Sequence, residues 1–244
     1  MPQFATAVVI GASSGIGAEM VKQLAAEGTR VAAVARRLPE LEALRLACGA
    51  DRVSVYAHDV RHFDSAAPLW DHIVAELGSV DCFIYNSGVM PRVEESEYNF
   101  AKDREMVEVN LLGAMAWLNP VAAYMEARRA GTIVGISSVA GDRGRRGNPA
   151  YHTSKAALTT YCESLRNRLS RYGVQVVTVK PGPVNTPMTT GLKLPLMISA
   201  EACARGTLDL AKAGTGEGYV PVVWAPIMWV IRNVPSAIFR KTNI

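Results

Sequence analysis

A tyrosine and a lysine stand four residues apart, at Tyr151 and Lys155, a spacing that places both side chains on one face of a helix. A nearby ammonium favours the phenolate and lowers the pKa of a tyrosine from its reference value near ~10. Such a phenol can give a proton to a carbonyl or take one from an alcohol. Ser138 ends an apolar run thirteen residues before Tyr151, and its hydroxyl would hold the reacting oxygen. Taken alone the pair is a weak signal, because a packed tyrosine beside a solvated lysine has the same spacing.

A glycine-rich turn near the N-terminus indicates a nucleotide-binding site. The apolar run at 6–10 predicts a buried parallel strand, and apolar residues recur at helical spacing from Met20 to Ala25. The glycines between them would permit a tight turn and bring a diphosphate close to the helix N-terminus, where free N–H groups favour anions. The turn residues predicted to bind the nucleotide are Gly11, Ser13, Ser14, Gly15, Ile16 and Gly17. The alternative is a plain turn with no ligand.

Two arginines follow the next predicted strand, which spans residues 30–35. Dinucleotide-binding folds place here the residue that faces the adenosine ribose, and an NAD site uses an acid at this point. The strand ends on Ala35 and continues into Arg36 and Arg37, whose forked guanidinium groups suit a 2′-phosphate. These residues favour NADP(H) over NAD(H). The alternative is a pair of solvated arginines before a helix opened by Pro39.

Strands and helices alternate along the rest of the chain. Strands are predicted at 52–57, 80–85, 132–137 and 174–179, and helices at 64–77, 102–129 and 150–172. This alternation predicts an α/β fold with a single doubly wound parallel sheet (Rossmann-like) and helices on both faces. Such sheets bind ligands at the carboxyl ends of their strands. The residues predicted at those ends are Arg36, Asp59, Asn86, Ser138, Pro181 and Gly182.

Composition limits the class of protein. The 244 residues are 49% hydrophobic and 20% charged, and the formal net charge of +4 is not gathered into a basic tail. This balance suits one globular domain over residues 1–244, and it suits an anionic small molecule more than a nucleic acid. The cysteines have no paired spacing, the histidines have no metal-ligand spacing, and the N-terminus lacks the features of a signal peptide. We therefore expect a cytoplasmic protein without a metal site.

Taken in order, these residues resemble the classical short-chain dehydrogenases/reductases over roughly residues 4–190. The matching positions are Gly11, Gly15, Gly17, Asp59, Asn86-Ser87-Gly88, Asn110, Ser138, Tyr151, Lys155 and Pro181-Gly182. The resemblance implies an NAD(P)-dependent oxidoreductase that moves a hydride between the nicotinamide and a small-molecule carbonyl or alcohol. It also implies a homodimer or homotetramer. A competing hypothesis is a non-catalytic NADP(H)-binding sensor or scaffold protein of the same fold.

The resemblance further implies roles for single residues. Tyr151 would be the catalytic acid/base, Ser138 would position the substrate oxygen, and Lys155 would lower the pKa of the tyrosine and hold the nicotinamide ribose. In the family, the asparagine that matches Asn110 interrupts its helix, and its main-chain carbonyl holds a water that links the lysine to solvent. The remaining implied cofactor contacts are Asp59 at the adenine, Val184 and Thr186 at the nicotinamide carboxamide, and Val60, Asn86, Gly88, Pro181 and Gly182.

Two parts of the chain depart from a regular pattern. The segment at about 188–215 is expected to vary with the substrate, since residues 188–198 are the least patterned part of the chain. The tail of the chain does not match the family's usual ending. Arg143, Arg145 and Arg146 lie among glycines between Ser138 and Tyr151. They predict either a solvated loop or a site for an anionic group on the substrate.

The C-terminal segment at 219–244 leaves two alternatives open. It holds an apolar run that includes Trp224, Met228 and Trp229 and is followed by basic residues such as Arg232 and Lys241. The run is shorter than the ~20 residues that a spanning helix needs. Either its apolar face packs over the substrate pocket or a subunit partner, or it lies in a membrane interface and meets anionic lipid. The second alternative would make the protein membrane-peripheral and suit an apolar, lipid-like carbonyl substrate.

Overall fold

A computed structural model of the protein describes residues 3–192 and 194–242. Nine strands occur in these residues. They are β1 (Thr6–Ile10), β2 (Arg30–Ala35), β3 (Val53–Ala57), β4 (Cys82–Tyr85), β5 (Thr132–Ile136), β6 (Gln175–Pro181), β7 (Val184–Asn185), β8 (Ile198–Ser199) and β9 (Glu217–Val220). Seven of them form one parallel sheet in the order β3-β2-β1-β4-β5-β6-β9, and β7 pairs with β8 separately. The strand order reverses beside β1, which is the crevice where doubly wound sheets bind their ligands.

Helices connect the parallel strands. They are α1 (Gly15–Ala26), α2 (Leu38–Cys48), α3 (Ala66–Leu77), α4 (Phe100–Val107), α5 (Gly113–Arg128), α6 (Pro149–Leu169), α7 (Ala200–Ala213), α8 (Trp224–Asn233) and α9 (Ser236–Phe239). Parallel strands need such crossovers, because a tight turn cannot return the chain to the same end of the sheet. The predicted α/β fold with a doubly wound, Rossmann-like sheet is confirmed, and most predicted boundaries lie within one to three residues of those observed.

The core forms two layers, one on each face of the sheet. Successive residues of a strand point to opposite faces. In β1, Val9 joins Met20 of α1 in the layer that α1, α2 and α7 cover. Val8 and Ile10 join Trp117 of α5 in the layer that α3, α5 and α6 cover. Because both faces are buried, the strand reads as a continuous apolar run.

The predicted long helix at 102–129 is interrupted, as the resemblance implied. A π-helical turn at Glu108–Leu112 separates α4 from α5, and the fully buried Asn110 lies in its middle. Asn110 Nδ2 donates to Val89 O at 3.0 Å and to Ser154 Oγ at 3.1 Å, and Val89 N donates to Asn110 Oδ1 at 2.7 Å. The asparagine side chain therefore ties the π turn to the segment after β4 and to α6.

Among the described helices, the run at 100–128 is long and apolar enough to cross a membrane by length and composition alone. Half of its most apolar stretch is buried in the fold. Trp117, Leu118 and Val121 of α5 are fully buried against the sheet. We assign the run to the protein core, because core helices pass the same test of length and composition.

Candidate active site

Ser138, Tyr151 and Lys155 meet at the carboxyl end of β5. Ser138 follows the strand, and its Oγ accepts a hydrogen bond from Ala140 N at 3.1 Å. The Ser138 side chain lies beside the Tyr151 phenol, close enough to lower the pKa of the phenol. Lys155, one turn further along α6, donates through Nζ to Ile136 O at 2.9 Å and lies 5.9 Å from the centre of the Tyr151 ring. Two hydroxyls and an ammonium group are thus placed together, as predicted from the sequence.

Burial shifts the pKa of both titratable groups. The pKa of Tyr151 lies above its ordinary value, because desolvation outweighs the hydrogen bond from Ser138. Lys155 is 4% exposed, and its burial lowers the pKa of the ammonium to about 8. The predicted net fall in the pKa of Tyr151 is therefore wrong for this geometry. The same low-dielectric surroundings that disfavour the phenolate also disfavour the charged lysine.

We expect the lowered pKa of Lys155 to appear as pH-dependent stability. Between its folded pKa of about 8 and its ordinary value of 10.5, the unfolded lysine holds a proton that the folded lysine has lost. The free energy of unfolding therefore rises with pH across that window, by about 3 kcal/mol from this group. Lys155→Met, which keeps the side-chain length and removes the amine, should lose this dependence.

The measurement is urea unfolding of both proteins at several pH values across the window. Burial raises the pKa of the Cys162 and Cys203 thiols. These two groups therefore lower the free energy of unfolding of both proteins as pH rises. The difference between wild type and variant isolates Lys155. A difference that does not change with pH would contradict the lowered pKa.

The glycine turn packs directly against the end of β4. Gly11 has a φ of +86°, which side chains rarely adopt, and a Cβ there would lie 2.7 Å from Ser87 N. A Cβ on Gly17 would lie 2.1 Å from Gly11 O. Asn86 Nδ2 donates to the same carbonyl at 3.1 Å. Only glycine fits these two positions, and their close approach leaves the N-terminus of α1 open at the crevice beside β1.

Arg37 reaches across this turn. Its Nη2 donates to Ser13 Oγ at 2.9 Å and to Ser14 Oγ at 2.8 Å. The buried Ala35 ends β2. Alanine has no carboxylate, whereas an NAD site uses one at this point. A guanidinium and two hydroxyls thus meet at the point where the adenosine ribose is expected.

Arg36 faces the end of β3 instead. It lies 3.9 Å from the carboxylate of Asp59, whose closer partner is Arg61 at 2.6 Å. The hydrogen bond from Arg61 lowers the pKa of Asp59 to about 2, so the group is a carboxylate at neutral pH. A cavity of about 670 Å³ opens here, lined by Arg36, Ala57, His58, Asp59, His62, Ser65, Pro68, Leu69 and His72. This lining places the cavity at the predicted adenosine end of the site.

The predicted nicotinamide contacts follow β6. Gly182 lies under the indole of Trp224, since a Cβ there would come within 2.0 Å of Trp224 Nε1. Val184 is 5% exposed, and its carbonyl accepts from Thr189 Oγ1 at 2.6 Å. Thr186 comes beside the glycine turn, because a Cβ on Gly15 would lie 3.2 Å from Thr186 Cγ2. The structure therefore brings the predicted nicotinamide contacts beside the glycine turn predicted to bind the diphosphate.

Gly88, Val60 and Ile16 are three further residues predicted to contact the cofactor. Gly88 borders Lys155, since a Cβ there would lie 3.5 Å from Lys155 Nζ. Val60 is 5% exposed and Ile16 is partly buried, and both side chains pack in the core. Any cofactor contact of Val60 would therefore use the main chain.

A buried charged network next to Ser138 escaped the sequence analysis. Lys180 Nζ donates to Asp142 Oδ1 at 2.6 Å and to Glu217 Oε1 at 2.7 Å, and the Tyr219 hydroxyl donates to Asp142 Oδ2 at 2.7 Å. The side chains of Lys180 and Asp142 are 3% and 2% exposed. The network fastens the loop after Ser138 to β6 and β9. A lysine at the end of an apolar strand was the available signal, because a buried charge needs a partner.

Arg143 holds the C-terminal helices against this loop. Its Nη1 donates to the main-chain carbonyls of Ile231 at 2.6 Å and Val234 at 2.5 Å. Its guanidinium carbon lies 4.0 Å from the centre of the Phe239 ring. A cation at the end of α8 satisfies carbonyls that have no partner within the helix and interacts favourably with the helix dipole.

The neighbouring arginines make related contacts. Arg145 Nη2 lies 3.7 Å from Met228 Sδ, and Arg146 Nη2 donates to Arg240 O at 3.1 Å. Burial also lowers the pKa of Arg145. Arg143, Arg145 and Arg146 contact the C-terminal helices, which neither sequence-based interpretation of this segment included. Arg146 itself is exposed, and a site for an anionic substrate group stays a prediction.

The chain is similar to known proteins in sequence and in fold. A family model described as short chain dehydrogenase matches residues 5–195. An uncharacterised oxidoreductase of Myxococcus xanthus is 38% identical over 195 residues, which cover 79% of this chain and 77% of that protein. A cis-4-hydroxycyclohexanecarboxylate dehydrogenase of Sinomonas cyclohexanicum is 33% identical over 202 residues, which cover 82% and 80%. A solved structure described as ElxO with NADP bound shares the fold, with a TM-score of 0.79 at 17% identity over 90% of this chain and 99% of that chain.

Proposed function

The chain belongs to the short chain dehydrogenase family and is an oxidoreductase, and we propose that it moves a hydride between NADP(H) and an apolar carbonyl or alcohol. The observation that carries the proposal is the cluster of Ser138, Tyr151 and Lys155 at the carboxyl end of β5. The cluster lies at the edge of the sheet where the glycine turn opens.

The residues present fit a dinucleotide. Gly11 and Gly17 leave no room for side chains at the N-terminus of α1, which favours a diphosphate there. Arg37 and the serine hydroxyls of the turn suit the 2′-phosphate, and Lys155 would hold the nicotinamide ribose. When bound, the nicotinamide gives or accepts a hydride.

The protein side chains handle the proton. Tyr151 would donate its phenolic proton to the carbonyl oxygen during reduction and accept a proton during oxidation. Ser138 Oγ would donate a hydrogen bond to the same oxygen, since the Ser138 side chain lies beside the Tyr151 phenol. Lys155 in its ammonium form would stabilise the phenolate. Asn110 would act as a positioning residue, because it fixes the π turn and α6 relative to each other.

The segment after Thr186 supports an apolar substrate. Its large side chains are exposed by 39–49% and are Met188, Leu192, Leu194 and Leu196. They follow the end of β6, at the carboxyl edge that holds the reacting groups. Apolar side chains at the mouth of a site favour apolar ligands, because contact removes both surfaces from water.

Turnover tests the proposal directly. The purified protein should oxidise NADPH in the presence of apolar ketones or aldehydes, or reduce NADP⁺ in the presence of the matching alcohols. Cofactor binding is measured in parallel by fluorescence. Binding without turnover across the panel would overturn the proposal and favour the NADP(H)-binding sensor. A homodimer or homotetramer stays a prediction that sedimentation would test.

Cofactor preference should depend on Arg37. Arg37→Ala removes a cation from the 2′-phosphate, and we expect kcat/KM for NADPH to fall about 10–100-fold, since a hydrogen bond to a charged group contributes ~1.5–3 kcal/mol. The value for NADH should change little. Ala35→Asp should act in the same direction, because it places an anion beside the phosphate.

The matched control is Arg45→Ala, which removes an exposed arginine of α2 that pairs with Glu42 at 3.3 Å. This variant should keep the wild-type preference. A wild type that already prefers NADH, or an Arg37→Ala variant that loses both cofactors equally, would contradict the assignment of NADP(H).

A further inference from the structure

Helix α8 is apolar on two opposite faces, and only one face packs on the protein. Trp224 and Met228 are buried beside Val139. On the outer face Trp229 is 69% exposed and Val230 is 55% exposed. An apolar face of a folded helix that remains in water marks an interaction surface.

The exposed apolar surface continues on both sides of this face. Val222 and Val223, just before α8, are 77% and 42% exposed, and Ile238 in α9 is 58% exposed. We call Val222, Val223, Trp229, Val230 and Ile238 the C-terminal patch, with Trp229 and Val230 at its centre. Val222 and Val223, in the turn before α8, precede Trp229 and Val230 by seven residues, about two helical turns, a spacing that favours one side of the helix.

The patch sits on ordered helices. Arg143 binds the carbonyls at the end of α8 and covers the Phe239 ring in α9, and Trp224 closes on Gly182. The outer apolar residues are therefore held in place by contacts on the inner side. Their exposure belongs to a fixed surface of the fold.

The charged residues of the C-terminal segment have a single sign. From Gly218 to the C-terminus the sequence contains no aspartate or glutamate, and it contains Arg232, Arg240 and Lys241. The side chains of all three cations are exposed. In a twofold dimer the same patch meets itself, which would bring these cations together without an acid from the same segment to pair them. Anionic lipid headgroups supply the opposite charge, and tryptophan is enriched at headgroup depth.

The patch also lies on the active-site side of the sheet. Strands β6 and β9 are parallel, and their last residues, Pro181 and Val220, are paired. The exposed leucines after β6 and the patch after β9 therefore leave the sheet at the same edge. Docking through this edge would turn the substrate segment toward the docked surface.

We propose that the C-terminal patch docks the protein on an anionic lipid bilayer. The apolar residues enter the interface at headgroup depth, and Arg232, Arg240 and Lys241 pair with lipid phosphates. The run is too short to span the bilayer, so the contact is peripheral and reversible. High salt weakens it, because surface charges are screened.

Tryptophan fluorescence gives a direct readout. The chain has four tryptophans, of which Trp70, Trp117 and Trp224 are 1%, 0% and 6% exposed, whereas Trp229 is 69% exposed. Vesicles of brominated phosphatidylglycerol should quench Trp229 and shift its emission to shorter wavelength. Phosphatidylcholine vesicles should leave the emission unchanged. Flotation should carry the protein with the first vesicles and not with the second.

Two patch variants and one control separate the contributions. Trp229→Ser with Val230→Asn removes the apolar centre, and Arg240→Gln with Lys241→Gln removes charge. We expect each double variant to lower the vesicle partition coefficient about tenfold or more. Phe100→Ser removes a side chain that is 79% exposed at the start of α4 and should float like wild type.

Three results would overturn the proposal. The first is no flotation of wild type with phosphatidylglycerol at low salt. The second is an equal loss in Phe100→Ser, which would indicate nonspecific adhesion. The third is protection of Trp229 from acrylamide that grows with protein concentration in the absence of vesicles and is reduced by Val230→Asn alone, which would show that a second copy covers the patch. None of these readouts depends on turnover, so they are independent of the proposed enzymatic function.

Discussion

Tyr151→Phe should lower kcat by about 10²–10⁴-fold, the usual contribution of a positioned acid/base. The substitution keeps the ring and removes the hydroxyl that lies beside Ser138. Binding of NADPH should persist, because the glycine turn and Arg37 do not contact the phenol. The measurements are steady-state kcat with an active carbonyl substrate and NADPH affinity by fluorescence titration.

Tyr161→Phe is the matched control for this variant. Tyr161 lies on the same helix, and its hydroxyl donates to Asn119 Oδ1 at 2.8 Å. Removing that hydroxyl should leave kcat near the wild-type value. If Tyr151→Phe also retains a near wild-type rate, Tyr151 is not the acid/base.

Lys180→Met should destabilise the fold by about 3–5 kcal/mol, the range for breaking one side of a buried ion pair. The variant leaves Asp142, whose side chain is 2% exposed, without its cation. The Tyr219 hydroxyl is then the remaining hydrogen-bond partner of this carboxylate in the network. Urea unfolding at neutral pH gives the free energy of unfolding of each protein.

A second substitution tests whether the pair is the cause. Asp142→Asn keeps an acceptor for Tyr219 and removes the charge that Lys180 would have balanced. The double variant should therefore be more stable than Lys180→Met alone, with a coupling of about 0.5–3 kcal/mol between the two positions. Additive losses would show that Lys180 acts by filling space. The network also fixes the loop after Ser138. If the loss of Lys180 moves that loop, kcat should fall together with stability.

Much of the fold and the main site residues followed from the sequence alone, because their signals are local. The strand at 6–10, the glycine turn and the helix after it are specified by neighbouring residues, and the structure has the strand at Thr6–Ile10 and a helix at Gly15–Ala26 that contains the predicted apolar positions. The spacing of Tyr151 and Lys155 is a property of one helix turn, so it could be predicted before any tertiary contact was known. Asn110 was placed in an interrupted helix by resemblance, and the π turn at 108–112 confirms the interruption.

The tertiary structure decided the features that depend on distant segments. The pKa of Tyr151 rises because burial is set by packing from several elements, which the spacing to Lys155 does not report. Arg143 lies 88 residues before Ile231, and no local pattern pairs a cation with a carbonyl at that separation.

The same limit applies to Lys180 and to α8. A lysine in a strand indicates only that it needs a charged partner. In the fold that partner is Asp142, from the loop after Ser138. The apolar run of α8 indicated a contact surface but did not indicate which side of the helix faces the protein. Packing buried Trp224 and left Trp229 exposed, because only a folded neighbour can divide an all-apolar helix into an inner face and an outer face.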